Sequence, residues 1–309
     1  MELLNLALAA RVILPLVNRH KVVVFGSGGQ LGVELVKEFT KRGYTVTGFE
    51  RSAVDISDGS RVERSLAEVD PAVVLNAAAY NQVDVAENEP VAAYNANALA
   101  VRNLAMACRQ IDARLVHYST DYVFDGTAGR PYTEEDRPHP LGAYAVSKLA
   151  GELYAQAYLE KPLIIRTSGV FGPGGLKTNR GNFIETMLRQ AAAGRTIRAV
   201  DDHVASPTYA PLLAARTADL VEGHFTGIFH AGGGTAISWF QYARMIFRLA
   251  NVNANLEPAS ERQYRTPARR PKFSALSNAK MESVGIAPMP PLEEPVADYL
   301  AARAKHFGS

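Results

Sequence analysis

Tyr144 and Lys148 stand in AYAVSK, four residues apart, so on a helix both project from one face. A lysine ammonium beside a phenol draws its pKa from about 10 toward neutrality, and the same lysine can hold a ribose hydroxyl. Tyr144 is then the candidate proton donor, and Lys148 the group that tunes it. Upstream, Ser119-Thr120 follows an apolar run, RLVHY. The Thr120 hydroxyl is the candidate partner for a substrate oxygen, and Ser119 is expected against a cofactor. With a hydride source, Thr120, Tyr144 and Lys148 are equipment for reducing a ketone. A YxxxK pair alone arises often by chance on surface helices, so its meaning depends on the elements around it.

Those elements begin with KVVVFG and a glycine turn, Gly26-Ser27-Gly28-Gly29-Gln30-Leu31-Gly32, that opens the amphipathic stretch QLGVELVKEFTKRG. Backbone amides at a helix N-terminus following a strand bind a pyrophosphate. The GxxGxxG spacing of Gly26, Gly29 and Gly32 points toward the short-chain type of dinucleotide site, with Gln30 and Leu31 carried in the same turn. Glu50 ends TVTGFE, eighteen residues past Gly32, where a carboxylate accepts from ribose hydroxyls and favours NAD(H). Arg51 follows directly and suits a 2′-phosphate, which keeps NADP(H) open. Asp55 and Ile56 are expected beneath the adenine, with a helix cap as the alternative role for Asp55. Ala77, Ala78 and Ala79 supply small residues where backbone must approach the cofactor.

Short apolar strands alternating with amphipathic helices continue through AVVLNAAA, a long helix reaching Ile111, RLVHYS, LIIRTSGVFG and TIRAV. The fold class expected is α/β: a Rossmann-type doubly wound parallel sheet with a smaller, mixed C-terminal substrate-binding region. The boundaries expected are an N-terminal extension over 1–20, a dinucleotide-binding core over 21–171, and a mainly substrate-binding region over 172–309 that returns some segments to the core. The apolar opening, MELLNLALAARVILPLVNRH, is broken by Asn5 and Arg11 and is read as a surface helix rather than a signal peptide or anchor. Thirty-three basic and thirty-one acidic residues give a formal charge of +2, too balanced to indicate a nucleic-acid or membrane surface. The single cysteine, Cys108, is read as a packed core thiol and fits a reducing cytoplasm.

The stretches GSGGQLG, NAAAYNQVDVAENEP, HYSTDYVFDG, YAVSKLAGE, RTSGVFG, ASPTYA, GIFHAGGGTAISW and RPKFSALSN resemble the dTDP-4-dehydrorhamnose reductase family of extended short-chain dehydrogenases, over nearly all of residues 21–305. The resemblance implies reduction of a nucleotide-linked 4-keto-6-deoxy sugar, dTDP-4-dehydro-L-rhamnose foremost, with Thr120, Tyr144 and Lys148 catalytic. It also implies substrate contacts from Asp121, Tyr122, Asn182 and Arg270, and supply of a deoxysugar to a polysaccharide. The expected partners are the nucleotide sugar and a second copy in a homodimer. Family members commonly read RTSW where this chain reads RTSG, so Gly169 is expected to leave one wall of the sugar pocket empty and the pocket wider.

His117 is read as a core histidine and His203 as a solvent-exposed one. Asp84, Glu87 and Glu89 are read as a solvated helix start, and no ligand set for a metal is seen. Arg262, Arg265, Arg269, Arg270 and Lys272 suit either a diphosphate or a solvated loop. Two rivals share the fold. Dehydratases place a glutamate after the Thr-Asp pair, where this chain has Tyr122, and STDYVF also differs from typical epimerase motifs. The regulatory beta subunit of methionine adenosyltransferase, a binding partner, also resembles the sequence.

Overall fold

Val22, Val23, Val24 and Phe25 are apolar at every position, so a strand made from them must bury both faces. The computed structural model, which describes residues 20–177, 181–263 and 266–308, places them at the centre of a parallel sheet. Its first half runs β1 (Lys21–Phe25), α1 (Gln30–Lys41), β2 (Thr45–Phe49), α2 (Gly59–Val69), β3 (Val73–Asn76), α3 (Val83–Ala86), α4 (Pro90–Tyr94), α5 (Ala100–Gln110) and β4 (Arg114–Thr120). Next come α6 (Ala143–Tyr158), β5 (Leu163–Thr167), α7 (Phe183–Ala192), β6 (Ile197–Val200), β7 (Val204–Ala205) and α8 (Ala210–Glu222). The chain closes with β8 (Gly227–His230), β9 (Ile237–Ser238), α9 (Trp239–Leu249), β10 (Leu256–Ala259), α10 (Ala279–Ser283) and α11 (Glu293–Phe307).

The six-stranded sheet has the order β2-β1-β3-β4-β5-β8 and is parallel throughout. Alternate strand residues feed two cores. Val22, Val24, Leu75, Val116 and Ile165 pack with α1 and α8, whereas Val23, Phe25, Val74, Leu115 and Ile164 pack with α2 and α5. The sheet is therefore doubly wound, and its order reverses between β1 and β3, where a crevice opens at the strands' carboxyl ends. Cys108 lies wholly inside the second core, and burial raises its thiol pKa. A third apolar cluster, with Phe171, Ile184, Ile197, Tyr242, Ile246 and Tyr299, gathers α7, α9 and α11 beside the sheet.

The long helix expected up to Ile111 forms, running without a gap from Pro90 to Gln110, but with a π-helical turn inside it. Pro90 starts α4 at its first turn, and a π-helical turn, Asn95–Leu99, separates α4 from α5. Within this turn Asn97 accepts through its side chain from the Tyr80 amide at 2.8 Å and donates to the Tyr80 carbonyl and the Ser147 hydroxyl, each at 3.0 Å. Its carbonyl meanwhile lies where a Cβ on Gly151 would stand, 2.2 Å away, so α6 docks closely only because residue 151 is glycine. The expected surface helix over 1–20 lies outside the described residues except for His20, as do Arg265 and part of the loop before Asn182.

Candidate active site

The glycine turn is shaped by contacts that leave no room for side chains. Gly26 has φ +74°, and a Cβ there would stand 2.7 Å from the Ala78 nitrogen. At Gly32 it would stand 2.0 Å from the Gly26 carbonyl oxygen. The Gly29 amide donates to that same oxygen at 2.9 Å, closing the turn just ahead of α1, whose N-cap is Gly29. Ala77 and Ala78 thus form the opposing wall, with Ala79 half-buried beside them. Glu50 leans on the turn from the end of β2; its Oε1 is 2.8 Å from where a Gly28 Cβ would be. These are the features a dinucleotide needs: bare backbone amides at a helix start and an acidic group at the second strand's end.

Other residues expected at the cofactor have different surroundings. Asp55 does not cap α2; Asp58 does, accepting from the Arg61 amide. Asp55 instead closes a turn onto the amide and hydroxyl of Ser57 and pairs with exposed Arg51 at 3.0 Å, and these contacts hold its carboxyl below the usual range despite partial burial. Ile56 is buried in the second core, and Leu31 packs on the first. Gln30 donates to the Val170 carbonyl at 2.6 Å and accepts from Asn182 at 3.1 Å. Ser119 is buried with its Oγ unpartnered among the described residues.

Tyr144 stands in the first turn of α6, half-buried, its hydroxyl 3.4 Å from Asn81 Oδ1 and its ring edge-on to Tyr122 at 6.1 Å. Lys148, one turn on, is 3% exposed and donates to the Tyr118 carbonyl at 2.6 Å, which pins α6 along the carboxyl end of β4. Burial lowers its pKa to about 8, with Glu152 pulling the other way. Thr120 ends β4. Its hydroxyl donates to Asp121 Oδ1 at 3.1 Å and accepts from the Tyr122 amide at 3.2 Å, so its proton faces the protein.

Asp121 is 2% exposed. Its other oxygen accepts from Ser274 at 2.6 Å and Ser168 at 2.8 Å, so the carboxylate ties the ends of β4 and β5 to the RPKFS segment. Burial raises its pKa to about 6 against those hydrogen bonds. Arg270 grips Asp84 through both nitrogens, at 2.8 and 3.0 Å, and its hydrogen bond to Tyr122 ties that phenol into the same assembly. Burial pushes the Tyr122 phenol up to about 12. Asn182 caps α7 by accepting from the Glu185 amide and donates to Gln30 and to Tyr299, at 3.0 Å. It therefore spans the glycine turn and the third cluster.

Three sequence readings change. The wall at Gly169 is not empty: Trp239 Cη2, from the start of α9, stands 3.3 Å from where a Cβ would be, and φ is +48°. An indole from another element takes the space that a residue-169 side chain would fill. His203 is 5% exposed rather than solvated, covered beneath α9, whose first amide bonds its carbonyl. Asp84, Glu87 and Glu89 are not merely solvated: they accept from Arg270, the Ala143 amide and the Tyr80 hydroxyl. Sequence reasoning missed Asn97 and Glu87, because each works through main chain distant in sequence. His117 is a wholly buried core residue, its imidazole pKa lowered by burial and then by Lys148. Among the described residues no three His, Cys, Asp or Glu side chains group to hold a metal ion, and no helix is long and apolar enough to cross a membrane.

Residues 20–304 match the family described as RmlD substrate binding domain. The chain is 35% identical, over 92% of its length and 98% of the relative's, to the spore coat polysaccharide biosynthesis protein SpsK of Bacillus subtilis. It is 37% identical to the dTDP-4-dehydrorhamnose reductase of Mycobacterium tuberculosis, over 92% and 94% of the two chains. A crystal structure of dTDP-4-dehydrorhamnose reductase from Bacillus anthracis in complex with NADP superposes with a TM-score of 0.87 at 34% identity, covering 92% of this chain and 99% of that one.

Proposed function

We propose, since the chain belongs to the RmlD substrate binding domain family, that it is an NAD(P)H-dependent reductase of a nucleotide-linked 4-keto-6-deoxy sugar, dTDP-4-dehydro-L-rhamnose first among them. The observation that supports this reading is that Lys148 bonds the Tyr118 carbonyl, which pins α6, bearing Tyr144 and Lys148, to β4, which ends in Thr120. The turn at Gly26, Gly29 and Gly32 would hold the cofactor's pyrophosphate, and Glu50 would accept from its ribose. When bound, the reduced nicotinamide supplies the hydride. Tyr144 holds the proton that the new alcohol oxygen takes up. Lys148, cationic through neutral pH with its pKa near 8, stabilises the phenolate left behind. Thr120 turns its hydroxyl from Asp121 to the ketone oxygen, and Asp121 with its two serines keeps the strand ends fixed while this happens.

Tyr122 and Arg270 flank the sugar and its diphosphate, with Trp239 as the aromatic wall beside Gly169. Oxidation of reduced nicotinamide is followed with dTDP-4-dehydro-L-rhamnose, using NADH and NADPH in parallel. Tyr144→Phe is expected to lose about 100-fold or more in kcat with cofactor affinity kept. Wild-type turnover of another keto sugar only would move the substrate and keep the chemistry. Cofactor binding without turnover of any keto sugar would make the chain a binding subunit.

A further inference from the structure

Helix α6 begins at Gly142, which has extended backbone and no side-chain cap. Its first amide, Ala143, is nonetheless satisfied: Glu87, just past the end of α3 and 56 residues earlier, accepts from it at 2.8 Å. A Cβ on Gly142 would stand 2.6 Å from that carboxylate oxygen, so glycine at 142 is what lets Glu87 reach the amide. Tyr144 is the next residue. The same short segment reaches Tyr144 by other routes: Asn81 meets its hydroxyl, and Asp84 holds Arg270 against Tyr122, whose ring flanks it. Glu89 secures the segment's base by accepting from Tyr80.

We infer that Glu87 is a positioning residue for the reduction, fixing the start of the catalytic helix, and hence Tyr144, through the Ala143 amide. The inference rests on Tyr144 being the proton donor. A carboxylate here fills an orphan N–H and faces the positive end of the helix dipole, so the helix start is held against fraying. A proton donor in the first turn is the side chain most displaced if that turn loosens, and small displacements of a reacting group cost rate more than binding.

Four variants test the inference under the keto-sugar assay: Glu87→Ala, Glu87→Gln, Gly142→Ala and the double variant Glu87→Ala/Gly142→Ala. Glu87→Ala is expected to lower kcat about tenfold while KM and cofactor affinity stay within about twofold. Glu87→Gln keeps the acceptor, so it restores kcat to within about twofold, which a loss of packing alone would not do. Gly142→Ala pushes the carboxylate off the amide and reproduces the Glu87→Ala loss, yet adds nothing in the double variant. A Glu87→Ala enzyme with undiminished kcat overturns the inference, as do additive losses in the double variant or equal losses in kcat and cofactor affinity. Tyr144→Phe in the same assay separates the layers. If it is dead while Glu87→Ala is intact, only the Glu87 role fails; if it stays active, the proton-donor reading fails and the Glu87 role with it.

Discussion

Asp121 is a carboxylate closed off from water among three hydroxyls, those of Thr120, Ser168 and Ser274, with burial raising its pKa from 3.8 to about 6. A raised folded pKa means that the protonated form favours the folded state. Its stability contribution is therefore fully present below the unfolded pKa and is lost as pH rises from about 4 through about 6. The shift corresponds to about 3 kcal/mol at most. Asp121→Asn cannot ionise, so its unfolding free energy relative to wild type should climb by up to that amount across the interval. Urea titrations at pH 4, 5, 6 and 7 check this; a wild-type-to-variant difference flat in pH would mean that Asp121 keeps an ordinary carboxylate pKa in the fold. The same arrangement explains why an aspartate flanking the reactive threonine is inside the protein: it aims Thr120 and binds two other segments to it.

Among the elements, the glycine turn is the most demanding. A Cβ on Gly32 would meet the Gly26 carbonyl at 2.0 Å and Ser27 Cα at 2.8 Å, both backbone. Gly32→Ala must push the turn away from α1, and cofactor affinity should fall tenfold or more while the fold survives. Fluorescence titration with NADPH measures it; an affinity within twofold of wild type would show that the turn yields without cost. This element was legible in the sequence because local spacing alone dictates it. So were the parallel strands, whose all-apolar runs admit few other readings, and the Tyr144–Lys148 helix face. What escaped reading depends on partners far along the chain. The π-helical turn before α5 carries Asn97, whose side chain bonds Tyr80 and Ser147, and helix periodicity gives no sign of it. Trp239 fills the space at Gly169 from an element seventy residues downstream. Asp84 and Glu87 looked solvated because their partners, Arg270 and the Ala143 amide, lie 186 and 56 residues away.

Across the whole molecule, the cofactor turn and the C-terminal cluster are joined by one polar chain. Gln30 donates to the Val170 carbonyl, Asn182 donates to Gln30 and to Tyr299, and Glu185 accepts from Tyr299 and Arg303, at 2.9 and 2.8 Å. Asn182 also caps α7, so one side chain serves a local and a long-range role. Asn182→Ala removes both and should cost about 1–3 kcal/mol, from the lost cap and from Gln30 and Tyr299 deprived of a donor. Asn182→Asp keeps the cap acceptor, loses the donors and sets a carboxylate against Gln30 Oε1, so it strikes the long-range role while sparing the cap. If the chain couples the two regions, Asn182→Asp should bind cofactor several-fold more weakly, because Gln30 lies within the glycine turn and is the first residue of α1. Thermal unfolding with and without NADPH reads both effects: Asn182→Ala lowers the Tm of the unliganded protein by more than Asn182→Asp does, and both variants show a smaller cofactor-induced rise than wild type. An undiminished rise in Asn182→Asp would mean that the glycine turn keeps its shape without the C-terminal region, and that Asn182 serves only the helix it caps.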